Sequence, residues 1–372
     1  MTVIPIQTLS PFDEIRQNIA DEYLSTAQHY PWIVTFSGGK DSTLVAHLVF
    51  EMLLSLPPSL RKRNVYFVSN DTLVESPLVV QHMRNALNTI LNAAEIFRLP
   101  VTGEVTVPKL QETFWTLLIG KGYPTPNRSM RWCTDRLKIQ PTSGYIKQKV
   151  DENGAAIIVL GVRKDESSTR KASIERHQNL ENSNLTPHND LPNAFVYRPI
   201  VDLSTDDVWE FLAANNPPWG GTHDDLIRLY REAAGGECPI VLSQEEAPGC
   251  GTNSSRFGCW TCTVVNKDRS LQGFVDVGKT EFLPLIEFRD WLVEIRNKPE
   301  YRSLERRNGR VEYKNGRHIP GPFTVEARKM MLDKLLEVQA AFGAELISDK
   351  EIEWIKQTWA KDVINAHSRS KK

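Results

Sequence analysis

A short apolar run, Trp32 to Phe36, passes without a break into Ser37-Gly38-Gly39-Lys40-Asp41-Ser42, and apolar residues at helical spacing follow from Thr43 to Leu54. Strand, glycine turn and helix in that order confine the chain to folds that receive anions at a strand's end. Two glycines let the backbone turn tightly and bring its N–H groups against phosphate oxygens. The helix start adds partial positive charge, and Lys40 adds a full one. Asp41 is a carboxylate suited to Mg²⁺, and Ser37 and Ser42 can add hydrogen bonds. The GxxxxGK[ST] pattern is absent, so this is a phosphate loop of another kind.

The same unit recurs along the chain. Val65 to Val68 reads as a second strand that ends at Ser69-Asn70-Asp71, with a helix expected from Pro77 to about Ala94. Ala155 to Leu160 reads as a third, ending in GVRKDES. Strands alternating with helices predict an α/β fold with a mostly parallel sheet and helices on both faces. Ligands of such sheets lie beyond the carboxyl ends of the strands, where all three polar motifs fall. Ser10-Pro11 opens a helix expected to reach Gln28, and Ser204 caps one to Ala214. From Asn216 to Asn253 glycine, proline and acidic residues mark an irregular insert. Helical pattern returns over Phe282–Arg296, Thr324–Phe342 and Asp349–Ile364. These shifts divide the chain into 1–215, a cysteine-rich 216–275, and a helical 276–372.

Two further stretches carry chemistry. Asp71 and Glu75 are spaced one helical turn apart, so both could face one ligand or metal. In Arg131-Trp132-Cys133-Thr134-Asp135-Arg136-Leu137-Lys138 the cations, with Arg128, predict a depressed thiol pKa at Cys133. A thiolate there suits a sulfur-carrying or sulfur-transferring role. Arg163, Lys164, Arg170 and Lys171 form a cationic group beside the third strand's end. The five cysteines are an odd number, which argues against a disulfide framework. Cys238, Cys250, Cys259 and Cys262 fall together in the insert, and their spacing fits either tetrahedral zinc or an iron–sulfur cluster.

SGGKDS, NDTLVES, RWCTDRLK and GVRKDES together resemble the PP-loop ATP pyrophosphatases, in their PAPS-reductase-like branch. NDTLVESP, RWCTDRLKI, YRPIVDLSTDDVWEFL and GPFTVEARKMMLDKLL narrow the resemblance to the DNA phosphorothioation sulfurtransferases of the DndC and SspD types, from about Pro31 to Trp359. The resemblance implies an adenine nucleotide alpha hydrolase-like fold, with ATP and Mg²⁺ bound at Ser37, Gly38, Gly39, Lys40, Asp41 and Ser42, helped by Asp71, Arg163 and Arg170. It implies that Lys40, Asp41 and Arg163 serve catalysis, with Cys133 as sulfur carrier. It also implies a [4Fe-4S] cluster on Cys238, Cys250, Cys259 and Cys262. The expected reaction adenylates a DNA backbone phosphate, releases pyrophosphate and replaces a non-bridging oxygen with sulfur from a cysteine desulfurase. Sulfonucleotide reduction, tRNA thiolation and a zinc-stapled, ATP-sensing assembly subunit are the competing readings.

Charge restricts how such a chain meets DNA. Lysine and arginine number 45 against 46 acidic residues, for a formal charge of −1. DNA affinity of the chain alone is therefore expected to be weak and strongly salt-sensitive, with other phosphorothioation proteins as partners. Arg302, Arg306, Arg307, Arg310 and the tail from Arg369 to Lys372 are the candidate contacts. The first residues lack a signal-peptide pattern, and the longest apolar run, Ala155 to Val162, is too short to span a bilayer. A cytoplasmic location without membrane contact is the expectation.

Overall fold

The computed structural model describes residues 10–25, 29–166, 184–234 and 257–369, with side chains of the last helix described to 362. Helix α1 (Pro11–Leu24) starts as its sequence dictates: the Ser10 hydroxyl accepts from the Asp13 N–H at 3.2 Å, and proline fills the first turn. Then come β1 (Trp32–Thr35), α2 (Lys40–Ser55), β2 (Val65–Asn70), α3 (Pro77–Ile96) and β3 (Val101–Thr106). After an excursion over 107–139 follow α4 (Gln140–Asn153), β4 (Ala156–Val159), β5 (Leu185–Pro187), β6 (Ala194–Tyr197), α5 (Thr205–Ala214) and α6 (Asp224–Ala233).

The strands form one sheet in the order β3-β2-β1-β4-β6-β5, parallel throughout except for the β5–β6 pair. Alternate residues of each strand serve opposite faces. Trp32, Val34, Ile157 and Val159 pack under α1, α2, α3 and α5, whereas Ile33, Ala156 and Ile158 pack with Ile146 and Val150 of α4. The sheet is thus covered on both sides, which is why its inner strands are apolar along their whole length. The strand order reverses at β1, between β2 and β4, and both the glycine loop and the GVRKDES segment leave the sheet there. That crevice is where an open α/β sheet binds its ligand.

A second core joins distant parts of the chain. Val74, Phe114, Trp115, Leu118, Ile119 and Leu137 pack with Trp260 and with α7 (Arg269–Asp276), α8 (Leu283–Ile295), α9 (Val325–Phe342) and α10 (Asp349–Arg369). The Trp115 indole donates to the Leu346 carbonyl at 2.7 Å, and Trp359 donates to the Ile119 carbonyl at 2.9 Å. The excursion between β3 and α4 is therefore held by the helices at the far end of the sequence. Between α8 and α9 a small hairpin, β7 (Glu312–Lys314) and β8 (Arg317–Ile319), stands apart from both cores. Among the described residues no helix is long and apolar enough to cross a membrane.

Candidate active site

The loop after β1 is shaped by contacts that only glycine permits. Gly38 has φ of 73°, and a Cβ there would meet Met83 at 3.0 Å. The Gly39 position is the N-cap of α2, so the first helical N–H groups face the crevice. Ser42 ties the loop to itself: its Oγ accepts from the Ser37 N–H at 3.2 Å and donates to the Gly39 carbonyl at 2.9 Å. The other wall is Gly161, after β4, where a Cβ would lie 2.8 Å from the Asp41 carbonyl oxygen. Any side chain at Gly161 would push the loop off the sheet.

The charged groups are interlocked. Asp41 takes Lys40 Nζ on one oxygen and Arg163 Nε on the other, both at 2.6 Å. Arg163 is 1% exposed and also donates to the Leu203 carbonyl and to Thr205 Oγ. All three nitrogens of its guanidinium are engaged by protein, so it positions Asp41 rather than offering itself to phosphate. Asp41 in turn carries two cations, and a Mg²⁺ bound there would have to displace Lys40. The donor set fits nucleotide phosphates better than it fits a metal.

Sequence reasoning missed Tyr230, on α6. Its hydroxyl accepts from the Lys40 N–H at 3.3 Å, and a Cβ on Gly39 would meet it at 3.2 Å. Burial raises the phenol pKa above its ordinary value, so it keeps its proton. Among the described residues no acceptor is recorded for that proton. The ring packs edge-on against Trp209 at 4.9 Å and against Phe257 at 4.5 Å between centroids. One side chain therefore links the phosphate loop to the residue two before Cys259. No local motif marks Tyr230; only the fold brings it to the loop.

The second polar motif departs from expectation. The residues after β2 form a turn with Leu73 at φ of 64°, not a helix, and Asp71 and Glu75 do not face one ligand. Asp71 accepts from the Leu73 N–H at 2.8 Å and pairs with Arg84 at 2.8 Å, whereas Glu75 pairs with Lys138 at 2.8 Å. The turn instead pairs with the thiol loop. Glu75 and Cys259 form an antiparallel bridge, the Trp260 N–H donates to the Val74 carbonyl at 3.0 Å, and Thr72 Oγ1 lies 3.4 Å from Cys259 Sγ. Arg289 of α8 clamps the exit of that loop, donating to the Cys262 and Asn266 carbonyls at 2.8 Å each.

Cys133 is not the isolated, acidified thiol that its neighbours in sequence predict. Burial pushes its pKa up, and Cys262 nearby pushes the same way; hydrogen bonds at Thr134 offset part of this. Of the cations counted on, Arg136 is drawn to Glu112 at 2.6 Å and Lys138 to Glu75, while Arg128 and Arg131 face solvent. Burial also pushes the Cys259 thiol up, with Glu75 adding to it and Lys138 opposing. Burial works against the charge of Lys138, but Cys259, Glu75 and Cys133 outweigh it and hold the amine above its ordinary value. Cys133, Cys259 and Cys262 thus form one electrostatic neighbourhood. Among the described residues no three such ligands converge on a single ion. Thiol donors of this kind suit zinc and an iron–sulfur cluster alike. Cys238, Cys250, Arg170 and Lys171 lie outside the described residues.

The sequence model of the phosphoadenosine phosphosulfate reductase domain matches residues 31–265, from the start of β1 to just past the thiol loop. An uncharacterized protein of Methanocaldococcus jannaschii is 25% identical over 194 residues, covering 52% of this chain and 34% of that one. The chain thus spans about a third of the length of this curated relative. Among solved structures, the PAPS reductase of Candida auris in its phosphate complex aligns over 57% of this chain and 83% of its own, at 14% identity and a TM-score of 0.35. The U34-tRNA thiolase of Methanococcus maripaludis with its [4Fe-4S] cluster aligns over 76% and 80%, at 11% identity and a TM-score of 0.31. The NH3-dependent NAD synthetase of Campylobacter jejuni aligns over 77% and 95%, at 13% identity and a TM-score of 0.35.

Proposed function

The chain belongs to the phosphoadenosine phosphosulfate reductase domain family, and from that premise we propose that it is an ATP pyrophosphatase that activates a DNA backbone phosphate for sulfur transfer. The observation that carries this reading is the junction at Tyr230: one side chain touches both the phosphate loop and the segment leading to Cys259. Nucleotide activation and thiol chemistry then belong to one site.

The loop N–H groups, the α2 N-terminus and Lys40 bind the β and γ phosphates, and Tyr230 donates its free proton to a phosphate oxygen. A non-bridging oxygen of the DNA phosphate attacks the α-phosphorus of ATP, and the bond to the pyrophosphate oxygen breaks. Lys40 and the loop hold the charge that gathers on the leaving pyrophosphate. Arg163 and Asp41 keep Lys40 aimed. The terminal persulfide sulfur delivered by a cysteine desulfurase then attacks the DNA phosphorus as the P–O bond to AMP breaks, and an external thiol reductant cleaves the remaining S–S bond, leaving the sulfur on phosphorus and forming a disulfide. Cys133, Cys259 and Cys262 are the described residues that would hold a [4Fe-4S] cluster, with Cys238 or Cys250 as the fourth ligand. A cluster there would supply a site for binding and passing sulfur. Cys133 is assigned this ligand role rather than that of a free carrier because its half-buried thiol shares an electrostatic neighbourhood with Cys259 and Cys262.

The test is reconstitution of anaerobic protein with ATP, a desulfurase, ³⁵S-labelled cysteine and DNA, followed by digestion and detection of phosphorothioate-linked dinucleotides. Label in those dinucleotides, dependent on ATP and lost in Asp41→Asn, is expected. The family match favours a second reading, a sulfonucleotide reductase. Sulfite formed from a sulfonucleotide, with ATP untouched, would replace the first reading with that one.

A further inference from the structure

The arm that carries β7 and β8 is largely exposed to solvent, with Glu312, His318 and Ile319 partly covered. Its strands meet at Lys314-Asn315-Gly316-Arg317, with φ of 51° at Asn315 and 74° at Gly316, the backbone that a two-residue hairpin turn requires. A two-stranded ribbon is marginal alone, and this one is fixed at its root. Arg302 donates to the Gly321 carbonyl at 2.8 Å and to the Arg296 carbonyl at 2.7 Å, and lies 5.0 Å from the Phe323 ring centre. Of the four arginines expected to touch DNA, Arg302 is therefore a structural anchor.

The remaining cations are not used this way. Arg306, Arg307, Arg310, Lys314 and Arg317 are all exposed, set against Glu305 and Glu312 alone in the arm. Arg306 reaches Glu312 only at 3.7 Å, and among the described residues Arg310, Lys314 and Arg317 have no carboxylate within ion-pair distance. Tyr313 stands among them 68% exposed, and Leu304 is 72% exposed. The Tyr313 ring meets the His318 ring at 5.7 Å between centroids and is otherwise open to solvent, and unpaired cations around an exposed aromatic ring are the chemistry that binds phosphates and stacks a base. The arm also adjoins the site. Arg307 lies 5.6 Å above the Tyr123 ring, Tyr123 packs edge-on against Trp132 at 5.6 Å, and Trp132 precedes Cys133. At its root Arg302 holds Arg296, which with Arg128 lines a cleft of about 560 Å³ walled by the segments 127–129 and 263–266, next to the thiol loop.

We propose that the β7–β8 arm binds a single nucleic-acid strand, its phosphates on Arg310, Lys314 and Arg317 and a base on Tyr313, and leads it toward the cleft beside the thiols. This deepens the DNA reading above and rests on it. A bare single strand suits the arm because stacking on Tyr313 needs an unpaired base.

The experiment is fluorescence anisotropy of the full chain with a labelled 20-nucleotide single strand, the matching duplex and labelled poly-L-glutamate, at several salt concentrations. The variants are Arg310→Glu/Lys314→Glu/Arg317→Glu together, and Tyr313→Ala, with thermal unfolding to establish that each remains folded. The charge-reversal variant is expected to bind the single strand at least tenfold more weakly. Its log–log salt slope should be smaller by about 2, for three lost phosphate contacts. Tyr313→Ala is expected to lose about fivefold or more on the single strand and less on the duplex. Wild-type affinity and slope in the folded charge-reversal variant would overturn the arm's role while leaving the DNA reading intact. Failure of the wild-type chain to bind either nucleic acid even at the lowest salt would overturn the arm's role and count against that reading, and tighter binding of poly-L-glutamate would point to an acidic protein partner instead.

Discussion

Acid should loosen the wall that Tyr230 stands on. His47, on α2, and His223, at the start of α6, are both buried, with Nδ1 and Nε2 3.2 Å apart. One imidazole donates and the other accepts, so the pair is neutral, packed against Phe211 and Trp219. Burial, with His223 and Arg16 adding to it, pushes His47 down to about 3; burial pushes His223 down to about 4 despite Asp224. Both values lie below the ordinary 6.5, so below that pH the unfolded chain binds more protons than the folded one. Stability is full above pH 6.5 and drains away as pH falls toward 4 and 3. At pH 5 the unfolded state gains about 2 kcal/mol for each histidine, or about 4 kcal/mol for the pair. Urea unfolding at pH 8 and pH 5 reads this as a drop in midpoint, and His223→Gln should remove about half of the difference between the two pH values. A difference unchanged in that variant would refute the buried neutral pair as its source.

The other predictions concern the loop and the arm. Tyr230→Phe keeps the ring against Trp209 and Phe257 but removes the hydroxyl; a hydrogen bond to a charged phosphate at about 1.5–3 kcal/mol makes ATP binding by calorimetry about 10- to 150-fold weaker, with little change in melting temperature. Unaltered ATP affinity would show that the phenol only packs. Gly161→Ala places a methyl against the Asp41 backbone and should lower stability by about 1–3 kcal/mol, with weaker ATP binding; a variant as stable as wild type would mean that the loop yields there. Arg302→Ala leaves the Gly321 and Arg296 carbonyls without their donor and should cost about 1–3 kcal/mol, accompanied by proteolysis within 303–320. Protection of that segment equal to wild type would contradict the anchoring role.

Much of the sheet was legible because its signals are local. Trp32–Thr35, Val65–Asn70 and Ala156–Val159 are apolar runs closed by polar motifs, and each is a strand at the predicted place. The late helices were equally plain from their spacing and from caps such as Thr324, whose hydroxyl accepts from the Ala327 N–H at 3.2 Å. Val101–Thr106 escaped notice because alternate residues are half-exposed at the sheet edge, and the run VTGEVT carries no apolar block. The β7–β8 hairpin was overlooked although Asn315-Gly316 is a strong turn signal; its charged strands are too short to show a pattern. The site was legible only in part. Neighbours in sequence suggested an acidified Cys133, but the fold turns those cations toward Glu112, Glu75 and solvent and brings Cys259 and Cys262 instead. Tyr230 and Arg84 reach the loop and Asp71 through tertiary packing, which no spacing rule encodes.

The most direct test of the account is the identity of the products that anaerobic protein makes from ATP in the presence of DNA and a sulfur donor. Cleavage between the α and β phosphates, giving AMP and pyrophosphate in equal amounts and failing in Asp41→Asn, is the predicted result. ADP and inorganic phosphate, or ATP recovered unchanged, would contradict it.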